Sequence, residues 1–279
     1  MTILIEILKA VLFGIVEGVT EWLPVSSTGH MILLDEFVKL KVSDAFYSMF
    51  EVVIQLGAIL AVILLFFHKL NPIAPKKTAD EKKQTWQLWF KVVVAVLPSA
   101  VIGLLLDEWM DEHLYNYVVV AITLIVYGVA FLFVEKFNEK RVLKCESVYD
   151  IDYKTAIFIG CFQCLSLIPG TSRSGATSLG AILLGVSRPA GAEFSFFLAI
   201  PTMLGASALK LLKFLLSGTP AGGLEIAVLA VGCVVSFIVS LLVIKALMEY
   251  VRKHSFSVFG IYRIILGVLV LGYFLITAM

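Results

Sequence analysis

Charge is scarce in this chain. Asp, Glu, Lys and Arg make up 15% of its 279 residues, where a soluble domain carries roughly 25%. Hydrophobic residues fill 60% of it, and mean hydropathy is +0.98. That balance excludes an ordinary soluble globule and implies a polytopic helical membrane protein. Net charge is only +1 and no basic run or arm is present, so nucleic acid is not expected as a partner. Cysteine is equally sparse, with four residues, of which Cys161 and Cys164 form a C-x-x-C on an apolar stretch. No second pair or nearby histidine completes a zinc site, and Cys145 and Cys233 are isolated, so no disulfide framework is implied. The first apolar stretch carries Glu6 and Lys9 and lacks a basic leader and a small-residue cleavage site. It reads as part of the mature protein. The G-x-x-x-x-G-K spacing of a P-loop is missing as well.

What is present is hydrocarbon-soluble chain. About 20 apolar residues span a bilayer, and six segments qualify: 45–67, 88–106, 116–135, 190–212, 224–247 and 257–277. Two further regions are apolar but badly shaped for spanning. Residues 2–20 form one run, Pro24 breaks it, and the chain resumes only as Met31–Leu34 before Asp35 and Glu36. Region 153–186 behaves likewise, with a Pro169-Gly170 break and a weak run ending at Ser187-Arg188-Pro189. Runs this short are expected to turn inside the bilayer and leave on the side they entered. Non-helical backbone at that depth is tolerated only when buried in protein or lining a wet cavity, so both breaks are expected to face one polar pocket.

The halves resemble each other. Phe46 to Gly57-Ala58 matches Phe194 to Gly205-Ala206 at equal spacing, and the Pro24 break matches the Pro169 break. The expectation is an all-α polytopic membrane protein forming one integral membrane domain over 1–279. Each half (1–140 and 150–279) is a re-entrant helix pair plus three transmembrane helices. Three spans are an odd number, so the second half is inverted relative to the first, an architecture found mostly in transporters. The loop 68–91 (His68, Lys69, Lys76, Lys77, Lys82, Lys83, Lys91), the loop 136–154 (Lys136, Lys140, Arg141, Lys144, Lys154) and the turn with Lys245, Arg252 and Lys253 share one side in this scheme. The acidic turn 107–112 falls opposite. Basic loops mark the cytoplasm, so both termini are expected outside, although Lys9, Lys39, Lys41, Lys210 and Lys213 also fall there.

Ionisable groups at membrane depth cost about 2.5–3.5 kcal/mol each on insertion scales and signal function. Glu17 and Glu21 are four apart and share a helical face. They repel unless one is protonated or a divalent cation (Mg²⁺ or Ca²⁺) lies between them. Ser26, Ser27 and Thr28 open the next helix, whose N-terminus favours anions, and His30 is spaced to share a face with Ser27. An imidazole beside a hydroxyl fits nucleophile–base logic. In the second break, Arg173 offers a planar fork for two phosphate oxygens, with Thr171, Ser172, Ser174 and Thr177 as further donors. Arg263, within the last span, reads as either a structural counter-charge or a site residue. Glu51 and Gln55 lie in a position to line the same cavity. Ordinary N-capping explains single hydroxyls, but not this company of charges. A lipid carrier is the competing class, since fold alone does not decide function.

At these residues the chain resembles the BacA-type undecaprenyl-diphosphate phosphatase family over essentially its whole length. The resemblance rests on Glu17 to Glu21, on Pro24-Val-Ser-Ser-Thr-Gly-His30, on Pro169 to Thr177, on Phe50 to Gly57 and on Glu193 to Pro201. It implies removal of the terminal phosphate of a C55 polyprenyl diphosphate in the bacterial inner membrane, at a pocket open to the outer face, with bacitracin resistance as a consequence. It also implies Ser27 as nucleophile, His30, Glu21 and Glu17 as support, and Arg173 as phosphate clamp. From the residues alone, His30 or water remain alternative nucleophiles. No tightly bound cofactor is expected, and a homo-oligomer is compatible with the sequence.

Overall fold

The computed structural model describes residues 2–139 and 141–277, excepting the side chains of Thr2, Asp107, Asp111 and Thr277; Lys140 lies outside the described residues. The chain is helical: α1 (Thr2–Thr20), α2 (Ser27–Phe37), α3 (Asp44–Val53), α4 (Gln55–Leu65), α5 (Phe67–Leu70), α6 (Ala79–His113), α7 (Tyr117–Asn138), α8 (Tyr153–Cys164), α9 (Arg173–Leu183), α10 (Arg188–Leu216), α11 (Gly223–Lys253) and α12 (Ser257–Thr277). Six spans are long and apolar enough to cross a membrane: α3 with α4, α6, α7, α10, α11 and α12. They coincide with the six stretches read from hydropathy, and their outward faces carry exposed Leu104, Leu105, Val126, Leu242 and Leu269. The protein is therefore a multi-pass membrane protein.

Several boundaries differ from the sequence reading. Residues 79–91 are not loop: Thr78 caps α6 in a reciprocal capping box with Glu81, so Lys82, Lys83 and Lys91 ride on helix. The acidic stretch 107–112 is the end of α6 rather than a turn. Lys245, Arg252 and Lys253 belong to α11. Polar termini extend these helices because their side chains reach water while the backbone bonds continue. For the same reason α2 does not stop at Leu34 but runs through Asp35 and Glu36 to Phe37.

The two short arms, α2 and α9, have 11 residues each, a rise of roughly 16 Å against a hydrocarbon core of about 30 Å. Each returns to where its partner began. The Glu6 carboxylate of α1 accepts the Lys41 N–H, and Lys9 donates to the Lys39 carbonyl. Before α8 and after α9, Lys144 donates its N–H to Gly185, Cys145 bridges to Val186, and Ser187 donates to the Glu146 carbonyl.

Packing interleaves the halves. α1 lies on α11 and α8 on α6, α4 lies on α11 and α10 on α6, and α7 pairs with α12. Close approach depends on small residues, as is general between membrane helices. At Gly160 of α8 a Cβ would stand 2.0 Å from the Ala95 carbonyl oxygen of α6. α10 runs antiparallel to α3–α4. Its start pairs with the far end of that span, through Glu193 and Lys69 (2.7 Å). Its end places Lys210 in the same cavity as Asp44.

Candidate active site

The two helix breaks meet in the interior. Ser26 and Ser172 are the N-caps of α2 and α9, and they are the non-glycine residues with positive φ among those described, at 74° and 71°. Each side chain accepts the N–H of a glycine three residues on, Gly29 at 3.2 Å and Gly175 at 3.1 Å. Such backbone strain is costly and persists only where the surroundings over-determine it. Here the surroundings are each other. Ser174 Oγ lies 3.0 Å from the Glu21 carbonyl and 3.1 Å from that of Leu23. Arg263, fully buried on α12, donates to the carbonyls of Pro24 (3.1 Å), Gly170 (2.8 Å) and Thr171 (2.8 Å). Its partners are backbone carbonyls freed by both breaks, not a carboxylate, which decides against a counter-charge. Gly170, at φ 86°, is packed so tightly that a Cβ would sit 2.2 Å from Thr123 Oγ1.

At this junction one carboxylate joins the two motifs. Glu21 Oε2 accepts the Ser27 hydroxyl at 2.7 Å, and Glu21 Oε1 accepts Arg173 Nη2 at 2.9 Å. Arg173 Nη1 donates to the Ser195 carbonyl at 2.8 Å, its guanidinium faces the Trp22 ring at 5.6 Å, and its Nε is buried with no partner. Glu21 lies one residue past α1 rather than on it, yet its N–H still bonds the Glu17 carbonyl at 3.0 Å. The pair therefore keeps the helical relationship its spacing implies. Glu17 is buried, and its Oε1 has no hydrogen-bond partner.

Ser27, Thr28, Glu17 and Gln55 open onto a cavity of about 460 Å³, which Asp44, Tyr47, Ser48, Glu51, Tyr115 and Lys210 also line. Glu21 stands behind Ser27, and Arg173 in turn holds Glu21. The remaining hydroxyls do not line this cavity. Ser26 and Ser172 cap, Ser174 ties the two breaks, Thr171 is wholly buried, and Thr177 bonds Ser195 Oγ at 2.6 Å and the Arg173 carbonyl at 2.8 Å.

His30 differs from its expected position. Its Nδ1 lies 2.7 Å from the Ser26 carbonyl, which can only accept, so Nδ1 carries the proton. Its Nε2 then accepts the Tyr262 hydroxyl at 2.6 Å, and the two rings stack at 5.6 Å. Both ring nitrogens are engaged, neither with Ser27. The helical spacing brings His30 to the neighbourhood, but the proton acceptor touching Ser27 is Glu21. Sequence reasoning missed Tyr262, Ser195, Asp44, Tyr47, Tyr115 and Lys210. Lys210, an anomaly for orientation, turns out to line the cavity. Ser195 was within reach of inference, two residues beyond Glu193 in a stretch already singled out.

Fold and site together define an integral membrane protein that holds a hydroxyl, a carboxylate and a guanidinium in contact at the meeting of two broken helix pairs. The sequence matches the family model of bacitracin resistance protein BacA over residues 10–269. It is 59% identical to the undecaprenyl-diphosphatase of Lactiplantibacillus plantarum, over 97% of this chain and 98% of the relative. It is 58% identical to that of Enterococcus faecalis (96% and 97%) and 56% identical to that of Streptococcus thermophilus (97% and 94%). The chain belongs to the BacA family.

Proposed function

We propose that this protein hydrolyses the terminal phosphate of undecaprenyl diphosphate, yielding undecaprenyl phosphate and inorganic phosphate. The reaction returns the lipid carrier to cell-wall synthesis, and it confers bacitracin resistance by consuming the diphosphate. Relatives sharing more than half of its residues carry the name undecaprenyl-diphosphatase over nearly their whole length. The observation that carries the chemistry is the Ser27–Glu21–Arg173 chain of contacts.

In this reading Ser27 Oγ attacks the terminal phosphorus from the cavity. Its proton passes to Glu21 Oε2, already in hydrogen-bond contact. The bond from phosphorus to the bridging oxygen breaks, and polyprenyl phosphate leaves. Water then attacks the phosphoserine, gives its proton to the site, and frees phosphate and the Ser27 hydroxyl. Arg173 stabilises charge that develops on the phosphoryl oxygens. Fixed donors of this kind supply much of the rate enhancement in many enzymes, and the unpartnered Nε of Arg173 is a donor still to be used. Direct attack by His30 is disfavoured because Nδ1 is protonated and Nε2 is occupied by Tyr262. Ser26, Thr171, Ser172, Ser174 and Thr177 act by shaping the breaks, while Thr28 and Gln55 reach the substrate space.

A divalent cation fits the residues present. Glu17 Oε1 is a buried carboxylate oxygen without a partner, beside Ser27 on the cavity wall. Among the described residues no group of three His, Cys, Asp or Glu is arranged around a metal, so the ion would rest on Glu17, with Glu21 near, and on substrate oxygens, as Mg²⁺ often does. It would supply charge neutralisation.

The architecture we infer is an inverted repeat over 1–140 and 150–279, with both helix pairs re-entrant. Three features support it: the short returning arms, the exchange of packing between halves and the antiparallel course of α3–α4 and α10. The cavity lies at the end of that span opposite Lys69, Lys245 and Lys253, and basic residues favour the cytoplasm. We therefore assign the cavity to the outer face of the cytoplasmic membrane. The termini belong on the same face, since the start of α1 meets Lys41 and Phe274 stacks on Tyr117 at 4.4 Å.

Purified protein in detergent should release inorganic phosphate from undecaprenyl diphosphate with no second compartment present. A protein that only moves lipid between leaflets would release none.

A further inference from the structure

A second cavity lies at the opposite end of the α3–α4 span from the reaction chamber. It has a volume of about 660 Å³, within the 300–1,000 Å³ typical of small-ligand sites. Its walls are of two kinds. Leu65, Phe66, Ile244 and Met248 form an apolar side, while His68, Lys69, Lys245, Arg252 and Lys253 form a basic one.

The charges in it are unequally paired. Glu193, buried at the start of α10, is held through both oxygens by Lys69 at 2.7 and 2.9 Å. Glu249 is 3.8 Å from Lys253. Both carboxylates are thus accounted for, whereas among the described residues the side chains of Lys245 and Arg252 make no hydrogen bond or ion pair. These two are seven apart on α11, hence on one face of the helix. Arg supplies a planar fork and Lys a point charge, the pairing suited to phosphate oxygens.

We propose that this cavity binds the headgroup of an anionic glycerophospholipid from the leaflet on that face. The lipid phosphate would sit between Lys245 and Arg252, and its acyl chains would lie against Leu65, Phe66, Ile244 and Met248. The proposal is independent of the hydrolytic reading, since none of these residues lies in the reaction chamber. A lipid is the occupant that uses both walls; free phosphate would use only the basic one.

The test uses the full chain in nanodiscs of phosphatidylcholine with or without phosphatidylglycerol, and measures retained phosphatidylglycerol by native mass spectrometry. Lys245→Gln/Arg252→Gln should weaken retention about twenty-fivefold, from two basic contacts each worth roughly fivefold at a membrane surface. Lys245→Arg/Arg252→Lys should restore most of it. Phosphate release in detergent should be unchanged in both, showing that each variant is folded. The control Lys76→Gln/Lys83→Gln removes two exposed charges outside the cavity and should change retention far less. Equal loss in that control would reduce the effect to surface potential and overturn the site. So would undiminished retention in the Lys245/Arg252 variant, or displacement of the lipid by millimolar inorganic phosphate.

Discussion

Ser27 donates its hydroxyl to Glu21 across 2.7 Å, although the two residues lie on either side of a helix break. The contact depends on the turn at 21–25, which swings the start of α2 back over the end of α1. It also depends on the second break, because Arg173 holds the other oxygen of the same carboxylate. Neither motif completes the arrangement alone.

Ser27→Ala removes the oxygen proposed to attack but leaves the Glu21–Arg173 pair in place. Phosphate release should fall to background while the variant still binds polyprenyl diphosphate. Rapid quench with substrate labelled at the terminal phosphate should trap label on the wild type and none on the variant. Label recovered on a histidine would remove Ser27 from its role.

Glu21→Gln keeps a side chain of the same shape but cannot take the proton. Positioned acid–base groups contribute about 10²–10⁴-fold, so kcat should drop within that range. His30→Gln should cost less, because His30 touches Ser26 and Tyr262 rather than Ser27. If His30→Gln proves the more damaging of the two in steady-state assays, the base is misassigned.

Arg173→Lys retains a positive charge but loses the fork that spans Ser195 and Glu21. Turnover should fall severely, with wild-type rates refuting the clamp. Ser195→Ala removes a 3.3 Å hydroxyl contact to Arg173 and the 2.6 Å bond to Thr177, whose hydroxyl keeps the Arg173 carbonyl, while the main Arg173 bond is to the Ser195 carbonyl. Its effect should be mild, a few-fold in kcat.

Arg263→Met leaves three buried carbonyls without a donor, at roughly 1–3 kcal/mol each. The variant should unfold at lower temperature in detergent and lose activity with the fold. Lys at this position reaches fewer carbonyls from one nitrogen and should recover part of the stability. A thermal shift near zero for Arg263→Met would mean that the two breaks hold together without it.

Chelation offers a separate check on Glu17. Were a divalent cation to rest on its free oxygen, chelator should abolish phosphate release and Mg²⁺ or Ca²⁺ should restore it. Glu17→Gln should then need far more metal for the same rate. Full activity in chelator would leave Glu17 an electrostatic role only.

Much of this was legible in the chain itself. Unpaired backbone is not tolerated in hydrocarbon, so the long uninterrupted apolar runs read as spans, and each of the six falls on a span of the structure, although the helices holding 88–106 and 224–247 run out to 79 and 253. Glu17, Glu21, Ser27 and Arg173 declared themselves by being polar where polarity is costly. Helix ends were less visible, since 79–91 and 107–112 are polar enough to pass for loop while their backbone remains helical.

The sequence by itself determined that this is a membrane protein with two polar helix breaks, because burial cost and helical periodicity are local properties read along the chain. Only the tertiary structure decided who touches whom. That the Ser27 hydroxyl donates to Glu21 rather than to His30, and that Arg263 fastens carbonyls from both breaks, depends on contacts between groups separated by up to 239 residues. Hydrogen bonds are set by direction and by tenths of an ångström, and no spacing along a chain encodes those.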